Sequence, residues 1–234
     1  MRVAIVGASG GIGGAFVNGL AARDDVTDVF ALSRSKIEFE RDKVQPLGID
    51  ITNESSVVDA AKHVGEVDWV IVASGILSDG DVLKPEKSWR DLDMDAFERV
   101  FRTNTFGPAL VAKHFLPLLP RKKRAVFAAL SARVGSISDN GLGGWHAYRA
   151  SKTALNMLIK NLSIELGRRN SEAICVGLHP GTVATNLSAK FSGGVNHEIF
   201  TPEQSAGYLI DVLDGLSAAD TGKVFDWQGT EIPA

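Results

Sequence analysis

The sequence has few of the features that mark secreted, disulfide-bonded or membrane-spanning proteins. Its 234 residues include a single cysteine, Cys175, so no internal disulfide can form. Because Cys175 falls in an apolar run, we expect a buried and unreactive thiol. No apolar run reaches the roughly 20 residues of a transmembrane helix, and the strand pattern that begins at Arg2 leaves no room for a signal peptide. These absences predict a soluble, cytoplasmic protein with no membrane partner.

Metal ligands and excess positive charge are lacking as well. The five histidines are scattered without His-x-x-x-His spacing, so we expect no metal site. The formal net charge of -3 argues against a nucleic-acid-binding protein. The one basic run, residues 121–124, is short and lies where a loop should enter a strand, which favours a solvated loop.

What the chain does contain is an alternation of buried strands and helical patterns. Short apolar runs predict strands at residues 3–6, 29–32, 44–49, 67–72, 125–130, 173–178 and 224–227. Helical patterns begin at Ile12 and at Pro202, and others cover residues 54–64, 95–115 and 147–167. This alternation predicts an α/β fold with a Rossmann-type, doubly wound parallel sheet in three α/β/α layers. We expect a single domain over residues 1–234.

A glycine-rich turn joins the first predicted strand to the first predicted helix. Residues 7–14 read Gly-Ala-Ser-Gly-Gly-Ile-Gly-Gly. In this context, glycines let backbone N–H groups approach a pyrophosphate, and the helix N-terminus stabilises its negative charge. The turn therefore predicts a dinucleotide site.

The end of the second predicted strand indicates which dinucleotide is bound. An acidic residue there binds the ribose 2′-hydroxyl of NAD, whereas an arginine accommodates the 2′-phosphate of NADP. The chain has Ser33-Arg34 at this position, and the planar fork of donors on Arg34 suits a phosphate. We predict NADP in preference to NAD; the alternative is a solvated arginine in a turn.

Ligands of parallel sheets bind at the carboxyl ends of the strands. Gly7, Arg34, Asp50, Gly75 and Ser131 each come at the end of a predicted strand. We expect all five residues to face one crevice.

Tyr148 and Lys152 are four residues apart on a predicted helix and so share one face. A phenol has a pKa of about 10 and acts as an acid or base near neutral pH only if that pKa falls by roughly 3 units, about 4 kcal/mol. Two unit charges about 4 Å apart at an effective dielectric near 20 interact by about 4 kcal/mol. Lys152 is therefore of the right strength to lower the pKa of Tyr148. The alternative is two surface residues that happen to share a helix face.

Two further features have more than one interpretation. Asn104 lies in the middle of an apolar helical pattern, where it is either a structural hydrogen-bonding residue or a site residue; the same pattern contains Gly107-Pro108, which predicts a bend. Residues 182–200 have no strong periodicity and are a candidate lid.

Together these residues resemble the short-chain dehydrogenase/reductase family over nearly the whole chain. Gly7, Gly11 and Gly13 match its Gly-x-x-x-Gly-x-Gly loop, and Asp50 matches its adenine-side aspartate. Three stretches, residues 133–136, 143–148 and 225–231, also resemble the C-factor branch of that family, which includes some carbonyl reductases.

The resemblance implies roles for individual residues. Tyr148 transfers a proton to or from the substrate oxygen, Lys152 lowers the pKa of Tyr148 and binds the nicotinamide ribose, and Asn104 positions a water in a proton relay. The predicted cofactor-binding set is Gly7, Ser9, Gly11, Ile12, Gly13, Ser33, Arg34, Asp50, Ile51, Ala73, Ser74, Gly75, Tyr148, Lys152, Pro180, Gly181, Val183 and Thr185.

The sequence departs from the family pattern at the catalytic serine. The position that the following x-x-Gly marks is Ala132. Ser131 precedes it and would point away from the substrate if the strand continued, because neighbouring strand residues face opposite sides; a strand end or bulge would turn it inward. Ser136 could reach the pocket from the loop. We predict Ser131 as the catalytic serine in preference to Ser136; a third possibility is that no serine acts and catalysis is slow.

The resemblance implies an NADP(H)-dependent oxidoreductase that interconverts a carbonyl and an alcohol by hydride transfer, with a small-molecule substrate. It also implies a homodimer or homotetramer. The alternative function is a C-factor-like signalling or regulatory protein that binds the dinucleotide with little turnover, and Ala132 motivates it. Trp145, residues 182–200 and Trp227 either shape the substrate pocket or are packing residues.

Overall fold

The computed structural model describes residues 1–185 and 198–234. Within these residues, seven parallel strands form the central sheet. They are β1 (Arg2–Val6), β2 (Asp28–Ser33), β3 (Val44–Gly48), β4 (Trp69–Val72), β5 (Ala125–Leu130), β6 (Ala173–His179) and β9 (Val224–Asp226). The short strands β7 (Thr182–Val183) and β8 (Ile199–Phe200) pair with each other outside this sheet.

The order of the strands creates a crevice at the carboxyl end of the sheet. The order is β3-β2-β1-β4-β5-β6-β9, so the chain winds outward from β1 in one direction and then, from β4, in the other. Ligands of open α/β sheets bind in the crevice at such a reversal. The predicted Rossmann-type α/β sheet is therefore confirmed, and its reversal point lies between β1 and β4.

The described part of the chain contains six α-helices, five of which pack on the two faces of the sheet. The six helices are α1 (Gly11–Ala21), α2 (Glu54–Val64), α3 (Met94–Phe101), α4 (Gly107–Phe115), α5 (His146–Arg169) and α6 (Pro202–Gly215). Among these helices, none combines the length and the apolar character that crossing a bilayer requires.

The core lies on both sides of the sheet because strand residues alternate between its faces. In β1, Val3 and Ile5 join the cluster that packs under α1 and α6. Ala4 and Val6 join the opposite cluster, which packs under α2, α4 and α5. Cys175 is fully buried in this second cluster, and burial raises the pKa of its thiol to about 12, as expected for an unreactive cysteine.

The predicted helix over residues 95–115 is interrupted differently from the bend that Gly107-Pro108 suggests. Between α3 and α4, residues Arg102–Phe106 form a π-helical segment that contains Asn104. Pro108 is the second residue of α4, which follows the π-helical segment directly. The irregularity is therefore centred on the polar residue, and π-helical turns are frequent at functional sites.

Two segments that were predicted as connections contain short helical or strand elements. Residues 78–92, predicted as a polar excursion, contain a 3₁₀ turn at Trp89–Asp91. The candidate lid over residues 182–200 includes β7 and β8 at its two ends. Its residues 186–197 lie outside the described part of the chain.

Candidate active site

A two-part cleft opens at the carboxyl end of the sheet. The larger cavity has a volume of about 520 Å³ and reaches α5. The smaller cavity, of about 190 Å³, reaches the ends of β2 and β3. The two cavities share the lining residues Ser9, Gly10, Ala73, Ser74 and Gly75, so they form one continuous groove across the reversal point.

The glycine turn forms the floor between the two cavities, and its geometry excludes side chains. Gly7 has φ of +95°, and a Cβ there would lie 2.8 Å from the backbone nitrogen of Ser74. A Cβ at Gly13 would lie 2.1 Å from the carbonyl oxygen of Gly7. Both positions require glycine, because only then can the start of α1 pack directly against the turn after β1. This cradle fits a pyrophosphate at the helix N-terminus.

The smaller cavity holds the residues predicted for the adenosine end of a dinucleotide. Arg34 is exposed on its wall. Asp50 accepts hydrogen bonds from the backbone nitrogen of Thr52 at 2.9 Å and from its hydroxyl at 2.8 Å. The bond from the Thr52 amide is the main cause that lowers the pKa of Asp50, with smaller contributions from the hydroxyl and from Arg34. Asp50 therefore stays ionised near neutral pH and shapes the turn that borders the cavity.

The larger cavity holds Tyr148 and Lys152 side by side on α5. The Lys152 Nζ lies 5.7 Å from the centroid of the Tyr148 ring and donates a hydrogen bond to the backbone oxygen of Leu130 at 2.8 Å. Lys152 is 3% exposed, whereas Tyr148 keeps partial exposure toward the cleft. The pair that the helical spacing predicts is thus brought to one wall of the groove.

Burial, rather than Lys152, determines the pKa of Tyr148 in the protein alone. Loss of solvation raises the pKa of Tyr148 to about 12 and lowers that of Lys152 to about 8. Both directions follow because burial disfavours the charged form of each group. The direction for Tyr148 is opposite to the shift expected from a neighbouring lysine, because loss of solvation is the cause that acts on the phenol.

The two candidate serines have different surroundings. Ser131 follows β5, lines the larger cavity with Tyr148, and donates its hydroxyl proton to Asn156 Oδ1 at 2.6 Å. Ser136 is 2% exposed, and its hydroxyl faces Ser138 and the terminal Ala234. Ser136 is absent from the described lining of both cavities.

Ser131 reaches the cleft although the strand pairing continues through it. Its backbone nitrogen still donates to the carbonyl oxygen of Leu178 at 2.8 Å, as a strand residue does. Ala132 then has φ of -153° and ψ of 147° before the chain turns at Arg133–Gly135. Gly135 fixes the turn, because a Cβ there would lie 2.8 Å from the Cβ of Lys152.

Asn104 makes structural hydrogen bonds from the π-helical segment. Its Oδ1 accepts from the backbone nitrogen of Ile76 at 2.8 Å, and its Nδ2 donates to the backbone oxygen of Ile76 at 2.8 Å. Nδ2 also donates to the Ser151 hydroxyl at 3.1 Å. Asn104 is fully buried and does not line the cleft in the described residues. It ties the loop after β4 to α5, one residue before Lys152.

Most of the predicted cofactor-binding residues line the groove, and two do not. Gly181 and Val183 are outside the described lining; Gly181 has φ of +75° and packs against Phe200, and Val183 is buried in β7. Further lining residues lie outside the predicted set: Gly10, Ile49, Thr52, Ile76, Ser78, Thr103, Leu130 and Ala184. Most of these neighbour a predicted residue in the chain, so the motifs themselves could have indicated them.

The three features expected to shape a substrate pocket are placed as follows. Trp145 contacts Tyr148 edge to face, with ring centroids 6.3 Å apart. Trp227 packs on Phe200 and Tyr208, with ring centroids 4.6 and 5.4 Å away. Trp227 is thus in an aromatic cluster, while Trp145 lies next to the predicted proton donor. Most of the third feature, residues 182–200, lies outside the described part of the chain.

Glu86 lies near the site but belongs to no motif that could be recognised in the sequence. Its carboxylate lies at the start of α5, where both oxygens are 3.3 Å from the backbone nitrogen of Ala147. The two residues are 61 positions apart. No local motif predicts a contact across that distance in the chain.

Comparisons with known proteins show a family and a fold that this chain shares with them. The family described as short chain dehydrogenase matches residues 1–195. The chain is 32% identical to 1-hydroxy-2-glutathionyl-2-methyl-3-butene dehydrogenase of Rhodococcus sp. (strain AD45), over 97% of each chain. It is 37% identical to C-signal of Myxococcus xanthus over 143 residues, which are 61% of this chain and 81% of C-signal.

A solved structure with bound NADPH has the same fold. It is the carbonyl reductase from chicken fatty liver, with a TM-score of 0.84 and 26% identity. The superposition covers 100% of this chain and 94% of that protein. Among the described residues, no group of three or more His, Cys, Asp or Glu side chains is placed to hold a metal ion.

Proposed function

The chain belongs to the short-chain dehydrogenase family and is an oxidoreductase, and on that premise we propose that it reduces a carbonyl compound with NADPH or runs the reverse oxidation. The observation that carries the proposal is the single groove. One end presents the glycine cradle and Arg34, and the other presents Tyr148 and Lys152. Because the two ends belong to one groove, an extended dinucleotide can lie across the reversal point with its nicotinamide ring near the Tyr148 phenol.

Arg34 supports NADPH rather than NADH. Its guanidinium is exposed on the wall of the smaller cavity and has no ion-pair partner among the described residues. A free planar fork of donors suits the 2′-phosphate that distinguishes the two cofactors. Asp50 follows at the end of β3 and is engaged with Thr52, so the arginine is the charged group left to select the cofactor.

Tyr148 is proposed as the group that transfers the proton. When bound, the nicotinamide ring supplies or accepts the hydride. Tyr148 lines the larger cavity and donates its proton to the substrate carbonyl oxygen, or removes one from an alcohol. Because burial alone raises the pKa of Tyr148 to about 12, the positive charge of Lys152 and of an oxidised nicotinamide must offset the cost of the phenolate.

Asn104 and a serine are proposed in supporting roles. Asn104 fixes the loop after β4 against α5, and the relay water of our proposal would lie next to that junction. Ser131 lines the larger cavity, and we assign it the hydrogen bond to the substrate oxygen. To donate that bond, its hydroxyl has to turn from Asn156, which now accepts it at 2.6 Å.

The experiment that tests the proposal is oxidation of NADPH by the purified protein with a panel of aldehydes, ketones and diketones. NADH is run beside NADPH, and a glutathione-conjugated alcohol is included with NADP⁺ because of the Rhodococcus relative's name. We expect turnover that prefers NADPH and that Tyr148→Phe lowers at least thousandfold. Tyr208→Phe is the matched control, since it replaces the only other tyrosine of the chain and should keep wild-type turnover.

The second candidate is a signalling or regulatory protein that binds the dinucleotide with little turnover. The similarity to C-signal and the alanine at position 132 favour it. It predicts tight NADPH binding, no carbonyl reduction with any member of the panel, and a cellular phenotype that survives Tyr148→Phe. Reduction that depends on Tyr148 would rule it out.

A further inference from the structure

Glu86 holds the start of α5 from a distant part of the chain. It lies between β4 and α3 and is 5% exposed. Its two carboxylate oxygens are both 3.3 Å from the backbone nitrogen of Ala147. Its backbone oxygen accepts a hydrogen bond from the backbone nitrogen of Trp145 at 2.6 Å. Glu86 therefore accepts hydrogen bonds from Trp145, just before the first residue of α5, and from Ala147, just after it.

The start of α5 needs such a partner because its own capping position does not supply one. The first N–H groups of a helix have no partner inside the helix, and a side-chain oxygen at the N-cap normally accepts from one of them. The N-cap of α5 is Trp145, which has left-handed φ and ψ of 50° and 44° and makes no side-chain capping bond. The carboxylate of Glu86 supplies the missing acceptor and also complements the positive end of the helix.

The anchored residues adjoin the proposed proton donor. Tyr148 follows Ala147 directly, and the Trp145 ring packs edge to face against the Tyr148 ring. The loop that carries Glu86 is itself fixed at its other end, where Asn104 clamps Ile76. The first turn of α5 is thus held by a loop that is itself hydrogen-bonded to the π-helical segment at Ile76.

We propose that Glu86 is a positioning residue for catalysis, which sets the place of Tyr148 by accepting the hydrogen bond from Ala147. The inference rests on the proposed function, because it requires Tyr148 to transfer the proton. Glu86 does not line the described cleft, so it acts through α5 and not by contact with the substrate. Catalysis depends strongly on such placement, since an error of about 1 Å can cost about a hundredfold in rate.

The test compares Glu86→Ala with Glu86→Gln under saturating NADPH. Glu86→Ala removes the acceptor, and we expect kcat to fall at least tenfold, while KM for the carbonyl substrate and Kd for NADPH stay within threefold. Glu86→Gln keeps a side-chain oxygen at the same reach, and we expect it to restore kcat to within fivefold of the wild type. If Glu86→Ala does not fold, Glu86→Asp replaces it. The aspartate is one methylene shorter, so its carboxylate lies farther from the Ala147 nitrogen, and the same fall in kcat is expected.

Asp93→Ala is the matched control, because it removes a cap from a helix away from the cleft. Asp93 Oδ1 accepts from the backbone nitrogen of Ala96 at 2.9 Å, at the start of α3. The control should lower the melting temperature as much as Glu86→Ala does and leave kcat within threefold. The inference is overturned if Glu86→Ala or its Asp substitute keeps kcat within threefold, if Gln fails to restore it, or if Asp93→Ala lowers it equally.

Amide hydrogen exchange separates failure of this inference from failure of the proposed function. We expect the amides of residues 147–149 to exchange at least tenfold faster in Glu86→Ala, or in Glu86→Asp, and at the wild-type rate in Asp93→Ala and Glu86→Gln. Unchanged exchange in the acceptor-removing variant overturns the inference even in an active enzyme. If the wild type reduces no carbonyl but exchange is accelerated as expected, the proposed reaction has failed while the anchoring by Glu86 stands.

Discussion

The two halves of the groove are built by different means. In the cofactor half, the decisive contacts join residues close in the chain, such as Gly7 with Gly13 and Asp50 with Thr52. In the catalytic half they join residues 28 or 61 positions apart, as between Asn104 and Ile76 or between Glu86 and Ala147. The cofactor half therefore depends mainly on contacts within contiguous motifs, although Gly7 also packs on Ser74. The catalytic half takes the Tyr148–Lys152 pair from one helix, but the bonds that hold that helix and the neighbouring loop join distant segments.

The largest expected effect tests the cofactor half. In Gly13→Ala, the new Cβ would lie 2.1 Å from the carbonyl oxygen of Gly7, so the turn and α1 must separate. We expect NADPH affinity to fall at least thousandfold, about 4 kcal/mol, measured by the fluorescence of bound NADPH. Gly207→Ala in α6 is the control, since its Cβ meets nothing within 4 Å and should bind normally. Normal NADPH binding by Gly13→Ala would contradict the view that the glycine motif builds the cofactor half of the groove.

The next prediction concerns the catalytic half, where the buried charge of Lys152 lowers the stability of the folded protein. Burial lowers the pKa of Lys152 from 10.5 to about 8, and at about 1.4 kcal/mol per unit the buried charge costs roughly 3 kcal/mol at pH 7. The free energy of unfolding of Lys152→Met should therefore be about 3 kcal/mol higher than that of the wild type at pH 7. The variant should also lose turnover. Urea unfolding measures this difference, with the exposed Lys160→Met as control.

The pH dependence of that difference has a definite sign. The folded protein releases the Lys152 proton near pH 8, whereas the unfolded chain keeps it to near 10.5. Between these values the unfolded chain binds more protons, so wild-type stability rises with pH. The advantage of Lys152→Met should thus be constant below about pH 8 and vanish by about pH 10.5. If the higher free energy of unfolding of Lys152→Met does not change with pH, the difference arises from packing and not from charge.

A smaller effect distinguishes the two serines. Ser131→Ala should lower kcat by about a hundredfold, the lower end of the range for losing one such hydrogen-bond donor, because Ser131 lines the larger cavity with Tyr148. Ser136→Ala should stay within threefold, since its hydroxyl faces Ser138 and Ala234. Steady-state reduction of one carbonyl substrate measures both variants. If neither change lowers the rate tenfold, no serine holds the substrate oxygen, and Ala132→Ser becomes the variant to examine.

The smallest expected effect returns to the cofactor half. Arg34→Ala removes the exposed cation from the smaller cavity. We expect kcat/KM for NADPH to fall about tenfold, about 1.4 kcal/mol, with little change for NADH. Lys36→Ala, a nearby exposed lysine outside the described lining, is the control. Equal losses with both cofactors would show that Arg34 does not read the 2′-phosphate.

The fold was predictable from the sequence because most strands of the central sheet are short apolar runs. The alternation within β1 places Val3 and Ile5 on one face and Ala4 and Val6 on the other. The helix predicted over residues 95–115 is confirmed in its extent, but its π-helical segment was not predicted. In that segment the side chain of Asn104 finds its partners at Ile76 and Ser151. Those partners lie in another part of the chain and leave no local signal.

The site was predictable to the extent that its residues are close in the chain. The spacing of Tyr148 and Lys152 fixes their shared helix face, and the glycine spacing fixes the cradle. The pKa of Tyr148 was not predictable in this way. It depends on how much solvent the folded cleft removes from the phenol, which raises the pKa to about 12.

By itself the sequence determined the fold, the family and the local geometry of the cofactor loop, because periodicity and spacing act within a few residues of one another. Only the tertiary structure decided that Ser131 lines the cleft, that Asn104 clamps Ile76 and that Glu86 caps α5. The physical reason is that burial and long-range hydrogen bonds belong to the packed chain as a whole. A side chain acquires its solvation and its distant partners only when the sheet and helices have come together.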